Sequence, residues 1–218
     1  MEFKLFDLGL TDFKSAWDFQ KEIFNGVRIN YIPAGLVICR HYPVITSGRL
    51  TKNGDILSDN RLPVYPIERG GSVTYHGPGQ LTAYPIFNLN YFKKDIHWFL
   101  RQLERVILDF LADFGIQGLT YKGKTGVWIG QQKIASIGIA VRNWITFHGL
   151  SINIKQNDLD NFKLIRPCGM DIEMVSIESV LEENVDIEGA KQNLVNKFEN
   201  IFSIGRKIND QSTIAAIR

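Results

Sequence analysis

The sequence has little cysteine: Cys39 and Cys168 are the only two among 218 residues. They form no CxxC pair, which excludes a disulfide framework and a structural zinc site of the four-thiolate kind. A reducing compartment follows, so the expected location is cytoplasmic. Long apolar runs are also missing, and no stretch approaches the roughly 20 residues needed to cross a bilayer. The opening MEFKLFDLGLTDFK carries acids and lacks the basic-then-apolar plan of a secretory leader. Charge of one sign is not in excess: 25 Lys+Arg face 23 Asp+Glu, a formal net charge of +2. These charges are interspersed rather than gathered into a basic stripe, which argues against nucleic acid as a partner, as the missing apolar run does against a membrane. The four histidines show no H-x-H or H-E-x-x-H spacing, so no metal motif is present. No 20 to 50 residue period recurs, which removes solenoids and arrays.

What is present is apolar and aromatic material, 44% hydrophobic residues with 14 Phe, seven Tyr and four Trp. That is ample for one ordered core, and no linker divides residues 1–218. The pattern predicts strands at Phe3–Leu8, Leu36–Arg40, Val44–Ser47, Pro63–Ile67 and Leu81–Asn88. A helix is expected over about 12–25, opened by Thr11 or Asp12 and ended at Gly26. Residues 51–60 read as an exposed loop, and 68–80 as a glycine-rich loop between strands. The strongest periodicity predicts a helix over Asp95–Phe114, closed by Gly115. Gly126–Gly130, Lys133–Arg142 and Trp144–Ile154 read as a three-stranded meander with a tight turn near Arg142 and Asn143. Helices are expected at Ile177–Glu182 and Ile187–Phe202, and the tail from about 203 is expected to fray. Strands with interrupting helices but no regular βαβ rhythm indicate an α+β domain with a mixed or antiparallel sheet flanked by helices.

Four segments stand out chemically. Arg69 to Gln80 holds four glycines, and glycine lets backbone N–H groups approach a ligand closely. It matches neither a Walker A loop nor a dinucleotide fingerprint. A long hairpin loop is the plainer reading, and Arg69 and His76 bracketing the glycines favour a binding loop. Cys39 lies inside the apolar run LVICR, where a buried small hydrophobe is expected. Cys168 sits between Pro167 and Gly169 in a turn, where a thiol is either inert or accessible and activated by a nearby cation. Lys133 opens an apolar strand that would partly desolvate an ammonium, although most lysines are solvated surface groups. His148 precedes Gly149 on a strand, where histidine is more often structural than catalytic.

In chain order these segments are Arg69-Gly-Gly-x-x-Thr-Tyr-His76-Gly-Pro-Gly-Gln-Leu81, Gly126-Val-Trp128, Lys133-Ile-Ala135-x-Ile-Gly138, Phe147-His-Gly-Leu150 and Pro167-Cys-Gly169. The set resembles the octanoyltransferase family of lipoate biosynthesis, in the biotin and lipoate protein ligase superfamily. The resemblance implies that fold, and transfer of an octanoyl group from acyl carrier protein to a lysine of a lipoyl domain. Acceptors would be the lipoyl domains of 2-oxoacid dehydrogenase complexes and the glycine cleavage H protein. It implies an acyl-thioester on Cys168, with Lys133 lowering the thiol pKa and exchanging protons. It further implies that Arg69, Gly70, Gly71, Ser72, Val73, Thr74, Tyr75 and His76 line the acyl site. Ser136, Ile137, Gly138, Gly149, Leu150 and Ser151 would complete it. No ATP or metal cofactor is expected, because the donor thioester on phosphopantetheine is already activated. Basic residues Arg40, Lys52, Lys122 and Lys124 would meet the acidic partners. The alternatives are an ATP-dependent lipoate or biotin ligase and an amidotransferase between lipoyl domains. From other classes come a hydrolase pairing Cys168 with His148 or His76, and a non-catalytic acyl-binding module.

Overall fold

The computed structural model describes residues 2–57, 62–166 and 172–208. A seven-stranded mixed sheet runs in the order β10-β1-β2-β6-β9-β8-β7, and a three-stranded sheet in the order β4-β3-β5. The large sheet contains β1 (Glu2–Thr11), β2 (Gly35–His41), β6 (Gln80–Ile86), β7 (Val127–Ile129), β8 (Gln132–Arg142), β9 (Ile145–Asn153) and β10 (Gly205–Ile208). The small one contains β3 (Val44–Ser47), β4 (Val64–Pro66) and β5 (Val73–His76). Parallel pairing joins β1 to β2 and to β10, while β2, β6, β9, β8 and β7 pair antiparallel in turn.

Among the described residues four α-helices accompany the sheets: α1 (Phe13–Arg28), α2 (Ile96–Ala112), α3 (Ile177–Leu181) and α4 (Ile187–Phe202). Their starts are written in short polar side chains. Asp12 accepts the Ser15 N–H, Asp95 the Trp98 N–H, and Asp186 both the Glu188 and Gly189 N–H groups, satisfying donors that the first helical turn leaves open. None of the described helices is long and apolar enough to cross a membrane.

Register decides what each sheet face does. Side chains alternate between faces, so residues paired across strands share one. Ser136 pairs with Ser151, Gly138 with Gly149, Ser151 with Thr82, Thr82 with Cys39, and Tyr84 with Val37. One face therefore reads large near β1 and β2, where α1 packs on Phe6, Val37, Cys39 and Tyr84. It reads small toward β8, where serine, glycine and threonine leave a groove. The opposite face carries Ile137, Leu150, Ala83 and Ile38 into the main core beneath α2 and α4.

The meander, β3 and α4 form where the pattern places them, and α1 and α2 within a few residues. The 68–80 loop is shorter than expected, because β5 occupies Val73–His76 and pairs with β3. α1 continues through Gly26 to Arg28, since that glycine packs directly against the Ile32 side chain. The expected exposed loop 51–60 contains buried Asp55, and Ile56 bridges Ile165. Within the tail expected to fray, Gly205–Ile208 form β10 and pair with β1, and the rest of the tail lies outside the described residues.

Candidate active site

A cavity of about 570 Å³ lies over the small-residue groove. Its floor includes Ser136, Ile137 and Gly138 of β8, Gly149, Leu150 and Ser151 of β9, and Thr82 and Tyr84 of β6. Two glycines keep it open. A Cβ on Gly149 would overlap the Ala83 carbonyl of the next strand, and one on Gly138 would come within 2.9 Å of Arg69 Cδ. These positions need glycine for close approach rather than for an unusual dihedral angle.

The second wall is the glycine loop, from which Arg69, Gly70, Gly71, Ser72, Val73, Thr74 and His76 face the cavity. Gly70 N–H donates to Ile139 O on β8 at 2.8 Å, which docks the loop onto the sheet. Arg69 straps it to β3: Nη2 donates to Thr46 O at 2.8 Å and to Thr46 Oγ1 at 3.0 Å, and Nη1 to Gly70 O at 3.1 Å. Tyr75 departs from the expectation. The pleat of β5 turns it away from Thr74 and His76, into a cluster with Ile45 and Phe162, where its hydroxyl donates to Asp158 at 2.7 Å.

The rim contains Lys133, Trp128, Leu50, Ile96, Leu100 and Lys124. Lys133 is partly buried with Nζ 5.0 Å from the Trp128 ring centroid, a cation–π placement that tolerates partial desolvation. Gly126 keeps room for it, because a Cβ there would come within 2.8 Å of Lys133 Cε and 2.5 Å of Ala135 O. Cys168 lies outside the described residues. The chain on both sides of it is pinned beside the cavity: Arg166 N–H donates to Asp55 O at 2.7 Å, Lys133 N–H to Glu173 O at 2.8 Å, and Val175 N–H to Lys133 O at 3.0 Å. Ile172 and Met174 join the lining.

Three neutral histidines cluster around the deep end. His41 Nδ1 donates to Thr11 O, and its Nε2 accepts the Tyr84 hydroxyl at 2.7 Å. Burial lowers its pKa from 6.5 to about 4. His76 stacks on Phe13 at 6.2 Å, and its Nδ1 lies 3.2 Å from Gln80 Oε1. His148 adopts φ 55° in mid-strand, and its exposed-from-the-ladder N–H is taken up by Gln20 Oε1 of α1 at 2.9 Å. Its Nε2 lies 3.5 Å from the Glu68 carboxylate. Burial pushes the pKa of His76 and His148 down as well, while His148 holds Glu68 below the usual carboxylate value. Among the described residues no group of three His, Cys, Asp or Glu side chains is set to hold a metal ion. Cys39 is buried in β2, and desolvation raises its thiol pKa, so it is inert.

Because His41 must gain a proton against burial, the unfolded chain binds more protons than the folded one between pH 6.5 and 4. Stability is therefore complete above about pH 6.5 and falls by roughly 3 kcal/mol toward pH 4 from this group alone. Thermal midpoints measured from pH 7 to 4.5 are expected to fall more steeply for the wild type than for His41→Gln. Equal slopes would remove His41 as the cause.

Sequence reasoning missed Tyr84, Phe13, Leu50, Ile96 and Leu100 as lining residues, together with Glu68 beside His148. Tyr84 and Phe13 look like ordinary core aromatics. Only the strand register, which sets Tyr84 on the face of Thr82, distinguishes it.

A polar glycine loop and a small-residue sheet groove enclose an apolar cavity with a lysine at its rim, on an α+β fold shared with solved lipoate protein ligases. A putative lipoate protein ligase from T. acidophilum, solved with bound lipoic acid, has the same fold: TM-score 0.75, 15% identity, covering 100% of this chain and 94% of that one. Residues 12–199 match the family described as lipoyl protein ligase A/B catalytic domain, and the chain belongs to that family. An octanoyltransferase of Clostridium kluyveri is 43% identical over 200 residues, covering 88% of this chain and 85% of that protein. One of Pelobacter propionicus is 39% identical over 197 residues, covering 90% and 93%.

Proposed function

We propose that this protein is an octanoyltransferase that carries the acyl group as a thioester on Cys168. Thiolate Sγ attacks the carbonyl of octanoyl-phosphopantetheine on acyl carrier protein. The carbon–sulfur bond to the carrier breaks, and the departing thiolate takes the proton that Cys168 lost. A neutral lysine amine of the lipoyl domain then attacks the acyl-enzyme. An amide forms, the carbon–sulfur bond to Cys168 breaks, and the leaving Cys168 thiolate takes the proton that the amine gives up. The ammonium of Lys133 stabilises the thiolate in both steps and exchanges protons with it.

The observation that carries this reading is the course of the chain flanking residues 167–171: Ile172 and Met174 line the cavity beside Lys133, and Arg166 donates to Asp55, whose carboxylate accepts the hydroxyl of the lining residue Ser72. The cavity volume supports it, being within the roughly 300–1,000 Å³ of small-molecule sites. Its floor of small side chains suits a thin aliphatic chain. The identity of about 40% to octanoyltransferases supports the donor and acceptor classes. In this reading activation comes from the thioester, so neither nucleotide nor metal takes part. Exposed Lys52, Lys122 and Lys124 would meet acidic carrier and lipoyl domains, with Lys124 at the cavity mouth.

The test is transfer from octanoyl-acyl carrier protein to an isolated lipoyl domain without nucleotide, followed by the mass of the domain. A gain of one octanoyl group is expected. Transfer only from free octanoate or lipoate with ATP would assign the protein to the ligases instead, and transfer only from an octanoylated lipoyl domain would make it an amidotransferase.

A further inference from the structure

Asp55 is a carboxylate for which acyl transfer has no direct use, yet it is 4% exposed in a loop whose neighbours 52–54 are exposed. Its contacts join two elements distant in sequence. Oδ2 accepts the Ser72 hydroxyl at 2.5 Å and the Lys52 N–H at 2.9 Å, while the Asp55 main-chain oxygen accepts Arg166 N–H at 2.7 Å. On one side of Asp55 the chain grips the glycine loop: Gly48, Arg49 and Leu50 N–H groups donate to Ser72, Arg69 and Gly71 carbonyls. On the other side Ile56 bridges Ile165, and Leu57 N–H donates to Leu164 O at 3.0 Å. The two sets of contacts meet at Asp55, whose carboxylate and main-chain oxygen join the glycine loop to Arg166, beside the apolar cluster of Val73, Tyr75, Phe162 and Ile165. The Ser72 hydroxyl and the Lys52 N–H hold its carboxyl below the usual value, so it is ionised and accepts strongly.

We propose that Asp55 is a positioning residue that fixes the glycine-loop wall of the cavity against the chain entering the Cys168 segment. This rests on the reading of Cys168 as the acylated residue. A local turn would need only the Lys52 bond. The bonds to Ser72 and Arg166 tie the acyl-binding wall to the chain two residues before Cys168 in sequence. Misplacing a reacting group by about 1 Å costs on the order of a hundredfold in rate.

The test combines single-turnover acylation of Cys168 by octanoyl-acyl carrier protein, read by intact mass, with amide hydrogen exchange at the glycine loop and Arg166. Asp55→Ala and Ser72→Ala are each expected to slow acylation by about tenfold to a hundredfold. Their double variant should be no slower than the worse single one, because both remove the same link. Asp55→Asn keeps an acceptor for Ser72 and should recover most of the rate, which a merely folding-related defect would not. Exchange at the glycine loop and at Arg166 should rise together in Asp55→Ala. Wild-type acylation rates in Asp55→Ala, multiplicative effects in the double variant, or exchange that rises at one element only would overturn the proposal. If the wild type gives no adduct while exchange still rises at both, the tie stands and the acyl-thioester reading falls.

Discussion

Lys133→Met is expected to slow octanoyl transfer by roughly 10²- to 10⁴-fold, the range for loss of a positioned proton-exchanging group. The side chain changes little in length, and the main-chain bonds from Lys133 to Glu173 and Val175 remain. The expected loss is therefore chemical, since the substitution removes the ammonium and leaves the main-chain ties of the rim in place. Lys133→Arg separates two roles. A guanidinium keeps the positive charge that favours the thiolate but does not give up its proton at working pH, so acylation should recover more than transfer to the lipoyl-domain amine. Rapid-quench measurement of the two half-reactions decides this. A Lys133→Met protein within about threefold of wild type in both would mean that Lys133 is an ordinary rim residue, since any positioned acid–base group contributes far more.

Gly149→Ala is the substitution expected to harm the fold most. Its Cβ would meet the Ala83 carbonyl oxygen, and the Ala83 carbonyl carbon at 3.1 Å, so the main chain of β6 or β9 must move. Overpacking against backbone costs about 3 kcal/mol or more. For a domain of this size that is roughly a 10 °C drop in thermal midpoint. Gly205→Ala is the control, because its nearest neighbour would be Glu2 Cγ at 3.8 Å. Its midpoint should stay within about 2 °C of wild type, as for a surface change within roughly 0.5 kcal/mol. If Gly149→Ala melts with the control, the groove is not built by close strand approach.

The legible parts of this sequence are those whose signal is local. α2 and α4 announce themselves by 3.6-residue apolar spacing, and β8 and β9 by alternation around a tight turn. That turn falls at Asn143 and Trp144, both with positive φ, one residue later than expected. The missed elements depend on distant partners. β5 is four residues set among glycines and becomes a strand because β3 pairs with it, and β10 forms on β1 from the other end of the chain. The site divides the same way. Glycines at 138 and 149 mark the groove because a missing Cβ is visible in sequence. The resemblance implies Tyr75 at the acyl site along with the rest of its loop, and only the pleat of β5, which depends on pairing with β3, turns it away from Thr74 and His76. Asp55 sits in a polar run that looks solvated, and what buries it comes from Ser72 and Arg166.

The most direct measurement of the central claim is intact mass spectrometry of the whole protein after mixing with octanoyl-acyl carrier protein and no acceptor. Wild type should gain one octanoyl group on Cys168, labile to hydroxylamine as a thioester is, and Cys168→Ala should gain none. Adding a lipoyl domain should discharge the adduct onto the domain. An octanoyl adduct that survives Cys168→Ala, or transfer to the lipoyl domain by Cys168→Ala at the wild-type rate, would contradict the acyl-enzyme account.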